Sequence, residues 1–327
     1  MTTPSPAPKM VDVFSDIERE TALKANPAGY AVTELAASDP RILTLTADLS
    51  NTLAEFREKF PDRYIELGIA ETNSVSFAAG LAACGFVPYI YSMAPFGILK
   101  TAEQLRTDVD YNHLPVRLVG RLSGLAMGYF GTSHYAVEDI AIARTLNNTI
   151  VVAPADAAST VALMRLLAGV DAPAYIRIAE APEQVYDEPP DCELGRWLKL
   201  RAGSDITLAG HGMGVGLAVG AARVLAAEHG IEADVFDAAF LKPFDGAALA
   251  ESAARTRRVL TIEDHSVVGG LGTIVAEALA VRKLPAGLAQ AALPAVDLEV
   301  GVPAELYEHY GLTVAGVVGK ALELVKQ

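Results

Sequence analysis

Asp62-Arg63-Tyr64-Ile65-Glu66-Leu67-Gly68-Ile69-Ala70-Glu71 reads as a short strand, a glycine turn and a carboxylate that opens a helix. The helix continues through Ser74, Ser76, Ala78, Ala79, Gly80, Ala82 and Ala83, whose small side chains let another backbone or subunit approach closely. A strand turning on glycine into a helix is the building unit of a parallel sheet, and such sheets collect ligands at the carboxyl ends of their strands. Glu71 therefore stands where chemistry would be expected. An acidic residue in the first turn of a helix is also explained by the macrodipole alone. Catalysis asks for something else, a buried carboxyl that can share a proton with a ring nitrogen. The residues by themselves leave both readings open.

Outward from this stretch the rhythm persists. Ile42 to Ala47, Val87 to Tyr91, Val116 to Gly120, Ile150 to Ala153 and Ala174 to Ile178 are short β-branched runs of strand character. Between them Glu71 to Ala83, Thr101 to Asn112, Ala136 to Asn147 and Asp156 to Gly169 have the length and spacing of crossover helices. Ala181 to Gly195, with three prolines and five acidic residues, interrupts the pattern as an exposed connection would. Beyond it come a strand at Ile206 to Ala209, a helix from about Val215 to Glu228, strands at Ala233 to Phe236 and Val259 to Ile262, and a helix near Val314 to Val325. The expectation is α/β throughout: two α/β domains with mostly parallel sheets, residues 1–185 and 195–327, joined by a linker at 181–195.

Composition narrows the function. The 327 residues are 51% hydrophobic but contain no uninterrupted apolar run of the roughly 18 residues a membrane span needs. Met1 to Val11 carries Pro4, Pro6 and Pro8 without an apolar stretch, so a cytoplasmic protein is expected. Forty acidic against 26 basic residues give a formal charge of −14, which disfavours a nucleic-acid partner. Cys84 and Cys192 suit neither a disulfide framework nor a metal site. Gly210-His211-Gly212-Met213-Gly214-Val215-Gly216 never satisfies GxGxxG and is read as a tight strand-to-helix turn.

The Glu71 segment resembles that of the transketolase family, and the resemblance runs without large gaps from about Asp39 to Asp156. It implies that Glu71 hydrogen-bonds the aminopyrimidine ring of thiamine diphosphate. Asp48-Leu49 matches a strand end facing the cofactor, although a strand-end aspartate is also an ordinary cap, and Thr52 lies where a substrate-contacting serine is common. Met93 and Phe96 occupy the positions of two ring-wrapping phenylalanines; a flat apolar slot can be built from either side chain. Gly128-Tyr129-Phe130-Gly131-Thr132-Ser133-His134 is similar to the family's GxDGPTHQ loop, which makes His134 an acid-base partner near the reactive carbon, with Ser133 on the substrate side. Arg177 falls where an arginine pairs with substrate phosphate, a geometry that suits a guanidinium fork.

Several residues depart from the family pattern. Phe130 replaces a sugar-reading aspartate, Tyr135 the following glutamine, Leu122 stands in a segment that normally holds a histidine, and Glu180 stands where a second arginine is often found. Leu241-Lys242-Pro243-Phe244-Asp245 and Glu263-Asp264-His265-Ser266 with Gly269-Gly270-Leu271-Gly272 resemble the family's carboxy-terminal domain, with a structural or dimer-interface role and His265 able to reach the site entrance. The chain lacks the GDG and distant asparagine that hold the diphosphate and its metal. The resemblance therefore implies no metal on this chain, and a separate diphosphate-binding subunit that carries Mg2+ or Ca2+. It implies the small subunit of a split transketolase, passing a two-carbon unit from a ketose or its phosphate to an aldose, in a heterotetramer built around a symmetric dimer. A 2-oxoacid dehydrogenase E1 β subunit and a deoxyxylulose phosphate synthase-like enzyme share this fold pair. A drifted, non-catalytic binding module is the alternative of another class.

Overall fold

A computed structural model describes residues 26–179 and 184–326. The expectations placed on Met1 to Val11, on Glu180 and on the first residues of the linker lie outside the described residues.

Two sheets organise the chain. In the first, β1 (Ile42–Thr46), β2 (Tyr64–Glu66), β3 (Val87–Met93), β4 (Arg117–Arg121), β5 (Ile150–Val152) and β6 (Ala174–Arg177) are all parallel. β7 (Leu198–Arg201), β8 (Ile206–Gly210), β9 (Ala233–Asp237), β11 (Arg258–Ser266) and β12 (Gly287–Leu293) form the second, in the order β12-β11-β8-β9-β7, with only β7 antiparallel. These are two α/β units with mostly parallel sheets. The remaining strand, β10 (Phe240–Lys242), crosses over: it pairs antiparallel with β5 and caps the first sheet, whose order is β10-β5-β6-β4-β3-β1-β2. Three residues before a proline carried too little pattern to show this in the sequence.

α1 (Pro27–Ser38) and α5 (Ala157–Ala168) cover one face of the first sheet, with α2 (Ala54–Lys59) beside them, and their buried residues close a core with Tyr89, Tyr91 and Ile176. On the opposite face α3 (Glu71–Ala83) and α4 (Asp139–Thr145) share one continuous apolar core with α7 (Gly246–Thr256) and α8 (Leu271–Arg282) of the second unit. α6 (Met213–His229), α9 (Pro303–His309) and α10 (Val314–Val325) pack on the far side of the second sheet. Burial of this kind, at about 25 cal/mol per Å2 of apolar surface, is what joins the layers.

Two helices differ from the sequence reading. The segment expected as a helix over Thr101 to Asn112 begins earlier and is wound as π-helix at Pro95–Leu99 and Leu105–Asp110, with a single α-turn between. Ile98, Leu105 and Val109 still reach the core, so apolar spacing carries no sign of the wider winding. The helix expected over Ala136 to Asn147 is the shorter α4, because Ala136 exchanges both backbone hydrogen bonds with Gly124 and holds its neighbours in the loop.

Candidate functional site

The first sheet changes direction at β1: the chain goes to one side to form β2 and returns on the other as β3. A crevice between the carboxyl ends of β1 and β3 is where such a sheet binds ligands. Asp48, Leu49, Thr52, Glu71, Met93, Phe96, Ser133 and His134 all sit at or after the carboxyl ends of β1 to β4.

After β1, Asp48 takes a left-handed backbone (φ 60°) and keeps its side chain exposed. Its amide and that of Gly68 both donate to Oε1 of Glu66, at 3.2 and 2.9 Å, so one carboxylate ties the turn after β1 to the turn before α3. Leu49, half-buried, donates its amide to Thr46 Oγ1 at 3.0 Å. Thr52 faces inward: it is 5% exposed and its hydroxyl donates to the Leu49 carbonyl at 2.8 Å, which makes it a brace of this turn.

Glu71 opens α3 and is 6% exposed, in the buried setting that catalysis required of it. Its Oε2 accepts from Lys100 Nζ at 2.9 Å, and the same ammonium lies 5.3 Å from the centre of the Phe96 ring. Lys100 was absent from the sequence reading. It lies 29 positions from Glu71, and only the π-winding after Pro95 carries it back to α3. Met93 and Phe96 are both half-buried at the start of that winding.

Phe96 also meets His134 edge-on, with ring centres 5.1 Å apart, while Phe130 stacks on the same imidazole at 4.6 Å and 27°. Ser133 Oγ is 2.9 Å from His134 Nδ1. Partial burial lowers the His134 pKa, which favours the neutral ring, with one nitrogen free to accept a proton and the other to donate a hydrogen bond. The loop owes its shape to Gly131, whose φ is 69° and whose missing Cβ would lie 2.8 Å from Val300. The second unit holds the loop from outside. Tyr135 donates its hydroxyl to the carbonyls of Gly128 and Glu299, Gly301 donates to Gly128, and Leu125 donates to the Tyr307 hydroxyl. The tyrosine noted as a departure is thus a buried strut.

Arg177 corrects the sequence reading. It has no exposed surface and no donor facing a substrate: Nε donates to Asp139 at 2.8 Å, one terminal nitrogen to Asp264 at 2.7 Å, and the other to the carbonyls of Ala136 and Asp264. Asp139 also accepts from the Tyr175 hydroxyl at 2.6 Å. Strand β6 points this guanidinium into the seam between the units, where fully buried carboxylates neutralise it. His265 lies in the same seam, unexposed, with Nδ1 2.9 Å from the Ser266 carbonyl, and does not reach the site entrance. Glu263 accepts from the amides of Leu271 and Gly272 and lies 3.3 Å from His211, so the Gly269 to Gly272 segment is structural.

A buried carboxyl beside a half-buried aromatic face, with a neutral imidazole beyond it, fits a flat nitrogen heterocycle such as an aminopyrimidine. Among the described residues no group of three or more His, Cys, Asp or Glu is placed to hold a metal ion, and no helix is long and apolar enough to cross a membrane.

Residues 26–182 match the transketolase pyrimidine binding domain and residues 195–317 the transketolase C-terminal domain. The chain is 36% identical over 298 residues to one subunit of the apulose-4-phosphate transketolase of Phocaeicola vulgatus, covering 90% of this chain and 95% of that one. It is 35% identical over 297 residues to a 6-deoxy-6-sulfo-D-fructose transketolase subunit of Clostridium sp. strain MSTE9, covering 90% and 92%. A solved structure described as a split gene transketolase, inactive β4 tetramer, superposes with a TM-score of 0.86 at 37% identity, over 93% of this chain and 98% of that one.

Proposed function

Because the chain belongs to the transketolase family, we propose that it is the pyrimidine-binding subunit of a split, thiamine diphosphate-dependent transketolase. A second chain would bring the diphosphate domain and its divalent metal. The observation that carries this reading is the convergence of Glu71, Phe96 and His134 at one crevice, from three separate segments. Subunit-type relatives that align over nearly their whole length support the division into two chains.

When bound, thiamine diphosphate supplies the carbon centre that accepts and releases a two-carbon unit. The chain's own residues do the rest. Glu71 would hydrogen-bond the edge of the aminopyrimidine, in place of the Lys100 ammonium that donates to it here. Phe96 and Met93 would pack against the face of the ring, and Leu49 and Asp48 would border the crevice. His134, kept neutral and oriented by Ser133, exchanges protons with substrate oxygens. Phe130 gives the substrate an apolar wall over the imidazole where the family pattern has a carboxylate. The donor is a ketose or ketose phosphate and the acceptor an aldose. Because the cofactor lies between unlike subunits, the working unit is a heterotetramer around a symmetric dimer; the description of a β4 tetramer as inactive supports the need for the second chain.

The test is affinity isolation of this chain from its own cells, with mass spectrometry of its companions and an assay for thiamine diphosphate. A co-purifying diphosphate-domain chain with cofactor is expected, and Glu71→Ala should lose at least 100-fold in turnover while retaining that partner. A solitary, cofactor-free chain, or a fully active Glu71→Ala complex, rejects the proposal.

A further inference from the structure

A cavity of about 380 Å3 opens between the two units, within the size range of small-molecule sites. It is remote from the crevice described above. β10 lies four strand spacings from β3, about 19 Å at about 4.8 Å each. Because β10 is antiparallel to β5, with Phe240 opposite Val152 and Lys242 opposite Val151, β10 runs toward the amino ends of the parallel strands, whereas Glu71 follows the carboxyl end of β2.

Three cations line the cavity: Arg144 on α4, Lys242 on β10 and Arg282 at the end of α8. One is neutralised, since Arg144 pairs with Glu277. The others are not. Lys242 Nζ reaches only the Arg144 carbonyl, at 3.4 Å, and the Arg282 guanidinium rests in the space that Gly246 leaves open, 2.5 Å from where a Cβ would stand. Neither forms an ion pair with a carboxylate among the described residues. Burial lowers the Lys242 pKa; the Asp110 charge opposes this and the Arg144 charge adds to it. Phe244, Ile274 and Ala278 add an apolar wall. On a chain of formal charge −14 this is a local inversion of the field, and it focuses anions.

We propose that this cavity binds a small phosphomonoester with a compact apolar or aromatic body. The ammonium and the guanidinium fork take the phosphate oxygens, and the body lies against Phe244 and Ile274. A ligand there touches α4 and β10 of the first sheet and α8 of the second unit, and so bridges the two halves.

Isothermal titration of the full chain with phenyl phosphate tests this. Saturable binding is expected, with inorganic phosphate at least tenfold weaker for want of the apolar contact. Arg282→Met and Lys242→Met should each weaken phenyl phosphate at least tenfold; Arg282, exposed at a helix end, keeps the test valid if the more buried Lys242 variant does not fold. Lys100→Met should leave the binding unchanged. Absence of saturable binding at millimolar concentration, full affinity in Arg282→Met, or loss in Lys100→Met, which would place the ligand at the Glu71 crevice, overturns the proposal. Equal affinity for inorganic phosphate overturns the apolar body.

Discussion

At the scale of single residues, the pair of Glu71 and Lys100 decides how the crevice meets a ligand. Lys100 is 49% exposed, and an ion pair that open to water contributes at most about 1 kcal/mol. A heterocycle that takes over the Glu71 carboxyl must displace it. Lys100→Met is therefore expected to bind thiamine diphosphate up to about fivefold tighter in the complex with the second chain, with a melting temperature lowered by no more than about 4 °C; weaker binding would show that the ammonium assists the ligand. Glu71 stood out in the sequence at the glycine turn that opens a helix, whereas Phe96 and His134 were singled out only through the resemblance to the family pattern, because a lone aromatic or loop histidine carries no local mark of its role. Lys100 was not legible at all, since its meeting with Glu71 depends on π-winding, which leaves no mark on apolar spacing. Arg177 was misread for a related reason. A strand-end arginine looks the same in sequence whether it faces solvent or a buried pair of carboxylates, and Asp264, its partner, lies 87 positions away.

At the scale of elements, the part of the connection that follows residue 184 is strapped to the first sheet, which its proline-rich, acidic composition did not suggest: the amides of Val185 and Tyr186 both donate to Asp156 Oδ2, at 2.9 and 2.8 Å, while the other oxygen of Asp156 caps α5. Tyr186 reaches further and donates its hydroxyl to Asp237 at 2.8 Å. Burial, with the Asp156 charge adding to it, pushes the Asp237 pKa up to about 7, against the lowering effect of the tyrosine hydrogen bond. Since the unfolded value is about 3.8, the folded state binds one proton more than the unfolded state between about pH 4 and 7. Stability must then fall as pH rises through that window, by up to about 4 kcal/mol. Urea midpoints measured at pH 5 and pH 8 should show the loss in the native chain and its absence in Asp237→Asn. An equal slope in both proteins would place the titrating group elsewhere. None of this was visible in the sequence, where the spacing between Asp156, Tyr186 and Asp237 follows no local period.

At the scale of the whole molecule, the two units expected from the linker composition are present as two sheets, yet they are not independent. Residues of the second half supply β10 to the first sheet, one apolar core runs from Leu45 and Ile90 through α4 to Phe236 and Val259, and Arg177 of the first sheet is neutralised in part by Asp264 of the second. The first two ties are spread over many residues, whereas the third can be cut by one substitution. Arg177→Met keeps the volume but leaves Asp139 and Asp264 buried without their cation, which should cost about 3–5 kcal/mol. The lost free energy falls at the seam, so it should reduce coupling as well as stability. Calorimetry of the native chain is expected to show one cooperative transition, and that of Arg177→Met a lower midpoint with two resolvable transitions as the units unfold separately. Two transitions already present in the native chain would show that β10 and the shared core do not couple the sheets. A single transition in Arg177→Met, merely lowered in temperature, would assign the coupling to the apolar core and leave the guanidinium a local role.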